Sequence, residues 1–116
     1  MAQEITTRGP ALTAEEWFPA IIERLVRGFD PIQILLFGSR ARGDARPDSD
    51  VDLLVVLPTL ENGRKTMAAM MRALADVPVG IDVIPTTPDE ISRRGHLVGT
   101  VLRPALREGK VIYQRP

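Results

Sequence analysis

Short apolar runs alternate along this sequence with amphipathic helical patterns, and this alternation constrains the fold more than any other feature. The runs cover residues 32–37, 51–57, 79–84 and 110–113. Their length, and their boundaries at glycine, proline or polar residues, predict buried strands. Between them, apolar residues recur three and four positions apart, as on one face of a helix. The sequence therefore predicts an α/β fold, a single domain in which helices pack against a mixed sheet of about four strands.

The length of the chain, 116 residues, leaves room for one compact domain. Residues 1–12 carry no helical or strand pattern and are expected to form a flexible N-terminal tail, with the domain itself at residues 13–116. Thr13 and Glu16 have the spacing of a capping box. This spacing predicts that the first helix opens there.

Composition argues against several kinds of function. Fifteen basic and fifteen acidic residues give a net charge of zero, whereas a strong nucleic-acid-binding surface needs a basic face. The absence of cysteine rules out disulfides, zinc–thiolate sites and thiol nucleophiles. The apolar runs are far too short to span a bilayer, and the first residues lack a secretory pattern. We therefore expect a cytoplasmic protein with no membrane partner.

The residues most informative for function lie between the first two predicted strands. The first strand ends at Gly38-Ser39, and after ten intervening residues Asp50 and Asp52 open the second. Glycine lets the backbone turn sharply and lets a ligand approach closely. If Ser39 opens a helical turn, its hydroxyl and the neighbouring N–H groups form an anion site suited to triphosphate oxygens.

Clustered acids are the second informative feature. Asp50 and Asp52 are two residues apart, so in a strand both carboxylates point to the same face. Adjacent carboxylates repel each other unless a cation lies between them, and Mg²⁺ prefers a few carboxylates together with phosphate oxygens. Two-metal phosphoryl transfer usually needs a further carboxylate. Asp82 is the candidate, because it lies in the otherwise apolar third run, where an unpaired charge is unfavourable.

The spacing of these residues resembles a known signature. Gly38-Ser39, ten residues and then Asp50-Val51-Asp52 are similar to the motif of the DNA polymerase β-like nucleotidyltransferase superfamily. The local sequence FGSRARGDARPDSDVDLLV is most similar to the minimal nucleotidyltransferases of bacteria and archaea. The resemblance continues through Asp82 and covers roughly residues 14–114.

The resemblance implies an activity and a metal site. The protein would be an Mg²⁺-dependent enzyme that transfers a nucleoside monophosphate, AMP from ATP, to an acceptor hydroxyl with release of pyrophosphate. Asp50 and Asp52 would hold two Mg²⁺ ions. Asp82 would complete the shell of the catalytic ion and accept the proton of the acceptor.

The resemblance also implies which residues bind the nucleotide. Gly38 and Ser39 would bind the β- and γ-phosphates. Arg40 and Arg42 lie near the expected triphosphate in the sequence and are further candidates for nucleotide binding. For these two arginines, ordinary exposure to solvent is an equally good interpretation.

Members of this family of similar size often act as antitoxins for small helical HEPN-type toxins, and some transfer AMP to a tyrosine of the toxin. The resemblance therefore implies a HEPN-type partner protein and a hetero-oligomer. The alternative is a non-catalytic antitoxin that neutralises its partner by contact, although clustered carboxylates favour the enzyme. A free-standing enzyme for a small molecule or nucleic acid is disfavoured by the short length and neutral charge.

Several candidate residues have interpretations without function. The three acids could be exposed residues at strand edges. His96, the only histidine, is expected at the surface. Met67, Met70 and Met71 lie on one face of a predicted helix, where methionines are expected to fill the core.

Overall fold

The computed structural model describes residues 12–95, 97 and 102–116. Most of the predicted tail, residues 1–11, and the predicted surface residue His96 lie outside them. Besides a 3₁₀ turn, Glu15–Trp17, the described elements are α1 Phe18–Phe29, β1 Gln33–Phe37, α2 Ser39–Arg42, β2 Val51–Val56, α3 Gly63–Ala73, β3 Ile81–Thr86, α4 Pro88–Arg94, α5 Leu102–Glu108 and β4 Lys110–Gln114. None of these helices is long and apolar enough to cross a bilayer.

The predicted capping box forms at the start of the domain. The Thr13 N–H donates to Oε1 of Glu16 at 2.7 Å, and the Glu16 N–H donates to Oγ1 of Thr13 at 3.3 Å. These bonds open the 3₁₀ turn, which leads directly into α1. Pro19 lies in the first turn of α1, where a backbone N–H has no partner within the helix.

The four strands form one mixed sheet in the order β3-β2-β1-β4, which confirms the predicted fold class. β1 is antiparallel to β2 and to β4, whereas β2 and β3 are parallel. The register places Phe37 opposite Asp52 and Asp52 opposite Asp82. The carboxyl end of β1 and the amino ends of β2 and β3 therefore meet at the same end of the sheet.

Helices cover the two faces of the sheet unequally. On one face, strand residues such as Leu53 and Val55 pack with α1 and α3 in the larger core, which also contains Ile21, Leu25, Ile34, Leu36, Met70, Leu74 and Val83. On the other face, a smaller core joins the sheet to α5 and consists of Leu35, Phe37, Leu54, Val56, Leu102 and Ala105. Side chains alternate along β2, so Asp52 lies on the face with the smaller core, just beyond Leu54.

The bounds predicted for the third strand are wrong by two residues. The prediction placed it at residues 79–84 with Pro85 as its end, but β3 runs from Ile81 to Thr86. β3 is an edge strand. An edge strand tolerates proline, because an N–H that faces away from the sheet has no ladder partner to lose.

The methionines of α3 divide between core and surface. Met70 is fully buried, but Met67 and Met71 are 39% and 42% exposed. The prediction that Met67 and Met71 fill the hydrophobic core is therefore wrong. The helix begins at Gly63 because Asn62 caps it by accepting the Lys65 N–H at 3.1 Å.

Candidate active site

The turn after β1 depends on Gly38. This residue has φ 76° and ψ −157°, a backbone conformation that is essentially restricted to glycine. Its carbonyl accepts the N–H groups of Ala41 and Arg42 at 3.1 and 3.0 Å, which starts the single turn of α2 at Ser39. A Cβ at this position would overlap Oδ2 of Asp52. Glycine is thus needed both for the turn and for the close approach of a carboxylate.

Asp52 lies within β2, between the turn at Gly38 and the neighbouring strand β3. Burial raises the pKa of its carboxyl group, and the negative charges of Asp82 and Asp50 raise it further. The positive charge of Arg42 acts in the opposite direction. An ionised carboxylate is therefore unfavourable here unless a cation compensates it.

Asp50 precedes β2 and is exposed, so the expectation that both acids of the pair lie in a strand holds only for Asp52. Its position is set by Gly80. The Val51 N–H donates to the carbonyl of Gly80 at 2.8 Å, and a Cβ on Gly80 would overlap Oδ1 of Asp50. Gly80 was missed as a site residue because it lies in the third apolar run. A glycine inside a strand pattern often marks such a close approach and was the available signal.

The three predicted carboxylates come together at one end of the sheet. Asp82, exposed on β3, is the direct register neighbour of Asp52, and the charge of Asp50 also acts on Asp52. Within the described part of the chain, no group of three or more acidic or histidine side chains converges tightly enough to hold a metal ion as it stands. Asp52 and Asp82 nevertheless lie within hydrogen-bonding reach of each other, which also raises the pKa of Asp52. The all-oxygen donor set of the three acids fits a hard cation such as Mg²⁺.

The two candidate arginines have different surroundings. The side chain of Arg42 is 46% exposed, donates to Asp44 and Glu108, and lies close enough to Asp52 for its charge to lower the pKa there. The side chain of Arg40 is only 6% exposed, and its hydrogen bonds go to the loop before β2 and to Glu15. Arg42 is therefore near the carboxylates, whereas the guanidinium of Arg40 is engaged elsewhere.

An open pocket of about 340 Å³ lies beside the carboxylates on the side of β3. Asp50, Gly80 and Asp82 form its polar part. Its apolar part comes from α3 and the segment that follows, with the half-exposed Met71 among its residues. The site is thus flanked by a polar turn at Ser39 and by a largely apolar pocket at Asp82.

Comparisons with known proteins give consistent results. The family model of a nucleotidyltransferase domain matches residues 18–106. A Sulfolobus solfataricus protein described as a candidate nucleotidyltransferase has a similar crystal structure, with 23% identity, a TM-score of 0.62 and 92% of each chain covered. An MntA–HepT toxin–antitoxin structure is similar over 84% of this chain and 69% of that chain, with 21% identity and a TM-score of 0.53. A toxin–antitoxin structure with AMP-PNP covers 84% and 74%, with 24% identity and a TM-score of 0.52. No curated protein matches the sequence significantly.

Proposed function

Because this chain belongs to the nucleotidyltransferase domain family, we propose that it transfers AMP from ATP to an acceptor hydroxyl, with release of pyrophosphate. The observation that carries the proposal is the meeting of three carboxylates, Asp50, Asp52 and Asp82, at the end of the sheet where Gly38 turns the chain. A protein that only binds a partner has no physical need for clustered acids that repel one another.

The carboxylates would hold two Mg²⁺ ions. Asp50 and Asp52 would bind both ions, and Asp82 would complete the shell of the catalytic one. Bound Mg²⁺ supplies charge neutralisation for the triphosphate and for the acids. Burial raises the pKa of Asp52 most, and the negative charges of Asp82 and Asp50 raise it further; a bound cation would offset the contribution of these two acids.

The order of the strands suggests on which side the triphosphate binds and from which side the acceptor enters. Ser39 follows β1, Asp52 lies in the central β2, and Asp82 lies on the edge strand β3. The chain turns at Gly38, the Ser39 hydroxyl at this turn would donate to the β- and γ-phosphates, and Arg42 lies at the side. The acceptor hydroxyl then enters from the side of Asp82, opposite the leaving pyrophosphate, as in-line displacement requires. The bond from the acceptor oxygen to the α-phosphorus forms, the bond to pyrophosphate breaks, and Asp82 takes the hydroxyl proton.

The acceptor that we propose is a HEPN-type toxin, with this protein as its cytoplasmic antitoxin. The support is the fold shared with an MntA–HepT toxin–antitoxin and with a toxin–antitoxin that holds AMP-PNP. The pocket beside Asp82 adds to this support, because its open apolar side can receive a side chain of a partner protein. A stable complex of the two proteins follows from the proposal.

The test is AMP transfer to the product of the neighbouring gene, followed by mass spectrometry of the intact acceptor. Wild-type protein with ATP and Mg²⁺ should add the mass of one AMP per modified hydroxyl. Asp52→Asn should abolish the addition, whereas Asp48→Asn, at an exposed acid of the loop before β2, should leave it unchanged. If the double variant Asp50→Asn/Asp52→Asn protects cells as well as wild type, the protein is instead a non-catalytic antitoxin that acts by contact.

A further inference from the structure

The loop that carries Asp50 has little apolar packing of its own. Residues 43–50 connect α2 to β2, and all of them are exposed or half-buried. A few local bonds shape the loop, among them the Arg46 N–H to Oγ of Ser49 at 2.8 Å and the Ser49 N–H to the Arg46 carbonyl at 3.0 Å. Polar contacts from outside the loop must therefore fix its position relative to the sheet.

Arg40 provides those contacts. Its Nη2 donates to the carbonyls of Ser49 at 2.8 Å and of Arg46 and Pro47 at 3.2 Å each, and its Nε donates to Ser49 at 3.1 Å. Its Nη1 donates to the two carboxylate oxygens of Glu15 at 3.0 and 3.3 Å. Every nitrogen of the guanidinium is thus bonded to the loop or to Glu15.

The shape of the arginine side chain suits this arrangement. A planar guanidinium can donate to several carbonyls along one edge and to a carboxylate along another, whereas an ammonium is a compact point donor. The charge is compensated by Glu15, as a nearly buried cation requires. A nucleotide phosphate would have to break these bonds in order to use the same donors.

The anchored carbonyl is the one that precedes Asp50. Fixing the carbonyl of Ser49 fixes the peptide plane that ends at the nitrogen of Asp50. On the other side, the bond from Val51 to Gly80 fixes the next peptide, and the carboxylate lies against Gly80. Asp50 is therefore held between two anchors although it lies outside β2.

We propose that Arg40 is a positioning residue, whose guanidinium fixes the loop of residues 43–50 and through it the carboxylate of Asp50, rather than a ligand of the nucleotide. The inference rests on the proposed function for the role of Asp50. Loss of the guanidinium should displace Asp50 and leave Asp52 in place, because Asp52 is paired within the sheet on both sides.

The experiment compares Arg40→Ala and Arg40→Lys with Arg46→Ala, an exposed arginine of the same loop. Hydrogen exchange of the metal-free proteins should rise in residues 43–51 for Arg40→Ala, with exchange in β1 and the rest of β2 unchanged. Mn²⁺ affinity, measured by electron paramagnetic resonance, should fall about tenfold, and kcat should fall about 10- to 100-fold, as for other residues that orient metal ligands. The KM for ATP at saturating Mg²⁺ should change less than about threefold. Arg40→Lys should recover only part of the loss, and Arg46→Ala should match wild type.

The opposite pattern would overturn the inference. A rise of about tenfold or more in the KM for ATP, with unchanged kcat, Mn²⁺ affinity and exchange, would make Arg40 a direct nucleotide ligand. Unchanged values for Arg40→Ala in every measurement would show that the loop keeps its position without the Arg40 guanidinium. If wild type transfers no AMP, the proposed function fails, but exchange and Mn²⁺ affinity still decide on Arg40. If Arg40→Ala does not fold, the same measurements on Arg40→Lys decide.

Discussion

Asp52 and Asp50 belong to the same motif, yet different parts of the molecule hold them in place. Asp52 lies in a strand, with paired residues on both neighbouring strands and a half-buried carboxyl group. Asp50 is exposed, lies in front of the strand, and depends on contacts from Arg40 and Gly80. Strand pairing therefore fixes the position of Asp52, whereas the position of Asp50 depends on a few contacts. We expect the two to differ in how much change they tolerate.

Lengthening each carboxylate by one methylene should give the largest effect and the clearest contrast. Asp52→Glu should lower kcat/KM for AMP transfer by more than about 10²-fold, the loss expected for a misplacement of about 1 Å, because pairing on both sides fixes its backbone. Asp50→Glu should lose roughly 10²-fold, as expected for a misplacement of about 1 Å, since the exposed loop can shift. Equal losses would show that the loop is as rigid as the strand.

Alanine substitutions at Gly38 and Gly80, the glycines that contact Asp52 and Asp50, test the same contrast. Gly38→Ala should destabilise the protein by about 1–3 kcal/mol, because it forces alanine into a conformation reserved for glycine, and the new methyl would also push Asp52 aside. Urea denaturation measures the loss. A change below about 0.5 kcal/mol, the range of ordinary surface substitutions, would mean that the turn adapts.

Gly80→Ala should be milder for folding and specific for the metal. Gly80 has no left-handed backbone angle, so the substitution acts through the overlap with Asp50 alone. We expect Mg²⁺ affinity to fall about tenfold and the free energy of unfolding to change by less than about 1 kcal/mol. Isothermal titration calorimetry would measure the Mg²⁺ affinity and urea denaturation the free energy of unfolding, with Gly28→Ala as a control at a glycine with open space around it. An unchanged Mg²⁺ affinity would show that the position of Asp50 does not depend on Gly80.

The smallest effect concerns the cost of ionising the carboxyl group of Asp52 in the folded protein. The pKa of Asp52 is raised in the folded state, mainly by burial, so the unfolded chain binds fewer protons and the stability of the metal-free protein falls as pH rises through the carboxyl range. Asp52→Asn should remove this fall and raise the melting temperature of the metal-free protein at neutral pH in EDTA. Asp50→Asn should raise it less, because Asp50 is exposed. In wild type, added Mg²⁺ should restore stability. A lower melting temperature for Asp52→Asn than for wild type would show that the ionised carboxylate does not destabilise the metal-free protein.

Much of this fold could be predicted because the signals are local. Each strand follows from a short apolar run, and the sheet follows from their alternation with helical patterns. The errors arose where tertiary position overrides a local rule. Pro85 is tolerated because β3 is at an edge, and Met71 stays half-exposed because only part of α3 contacts the sheet.

The candidate site shows the same limit. Asp50, Asp52 and Gly38 are recognisable by their spacing, and Asp82 by a charge in an apolar run. Gly80 contributes to the site because the side chain of Asp50, 30 positions earlier in the sequence, lies against it. The contacts of Arg40 depend on the path of a loop, and no periodicity encodes such a path. Residues that hold the reactive groups in place are therefore harder to read from sequence than the groups themselves.

The parallel pairing of β2 with β3 has a consequence for the order in which the protein is made. β1 and β2 are antiparallel and follow each other in the sequence, joined by residues 38–50, so Asp52 can meet Gly38 before β3 has been made. Asp82 arrives only after the crossover through α3 has formed, and pairing over such a separation is slow. A nascent chain should thus carry an incomplete set of acids until β3 docks. On the proposed function, metal binding and any reaction with ATP would therefore wait for that late step of folding.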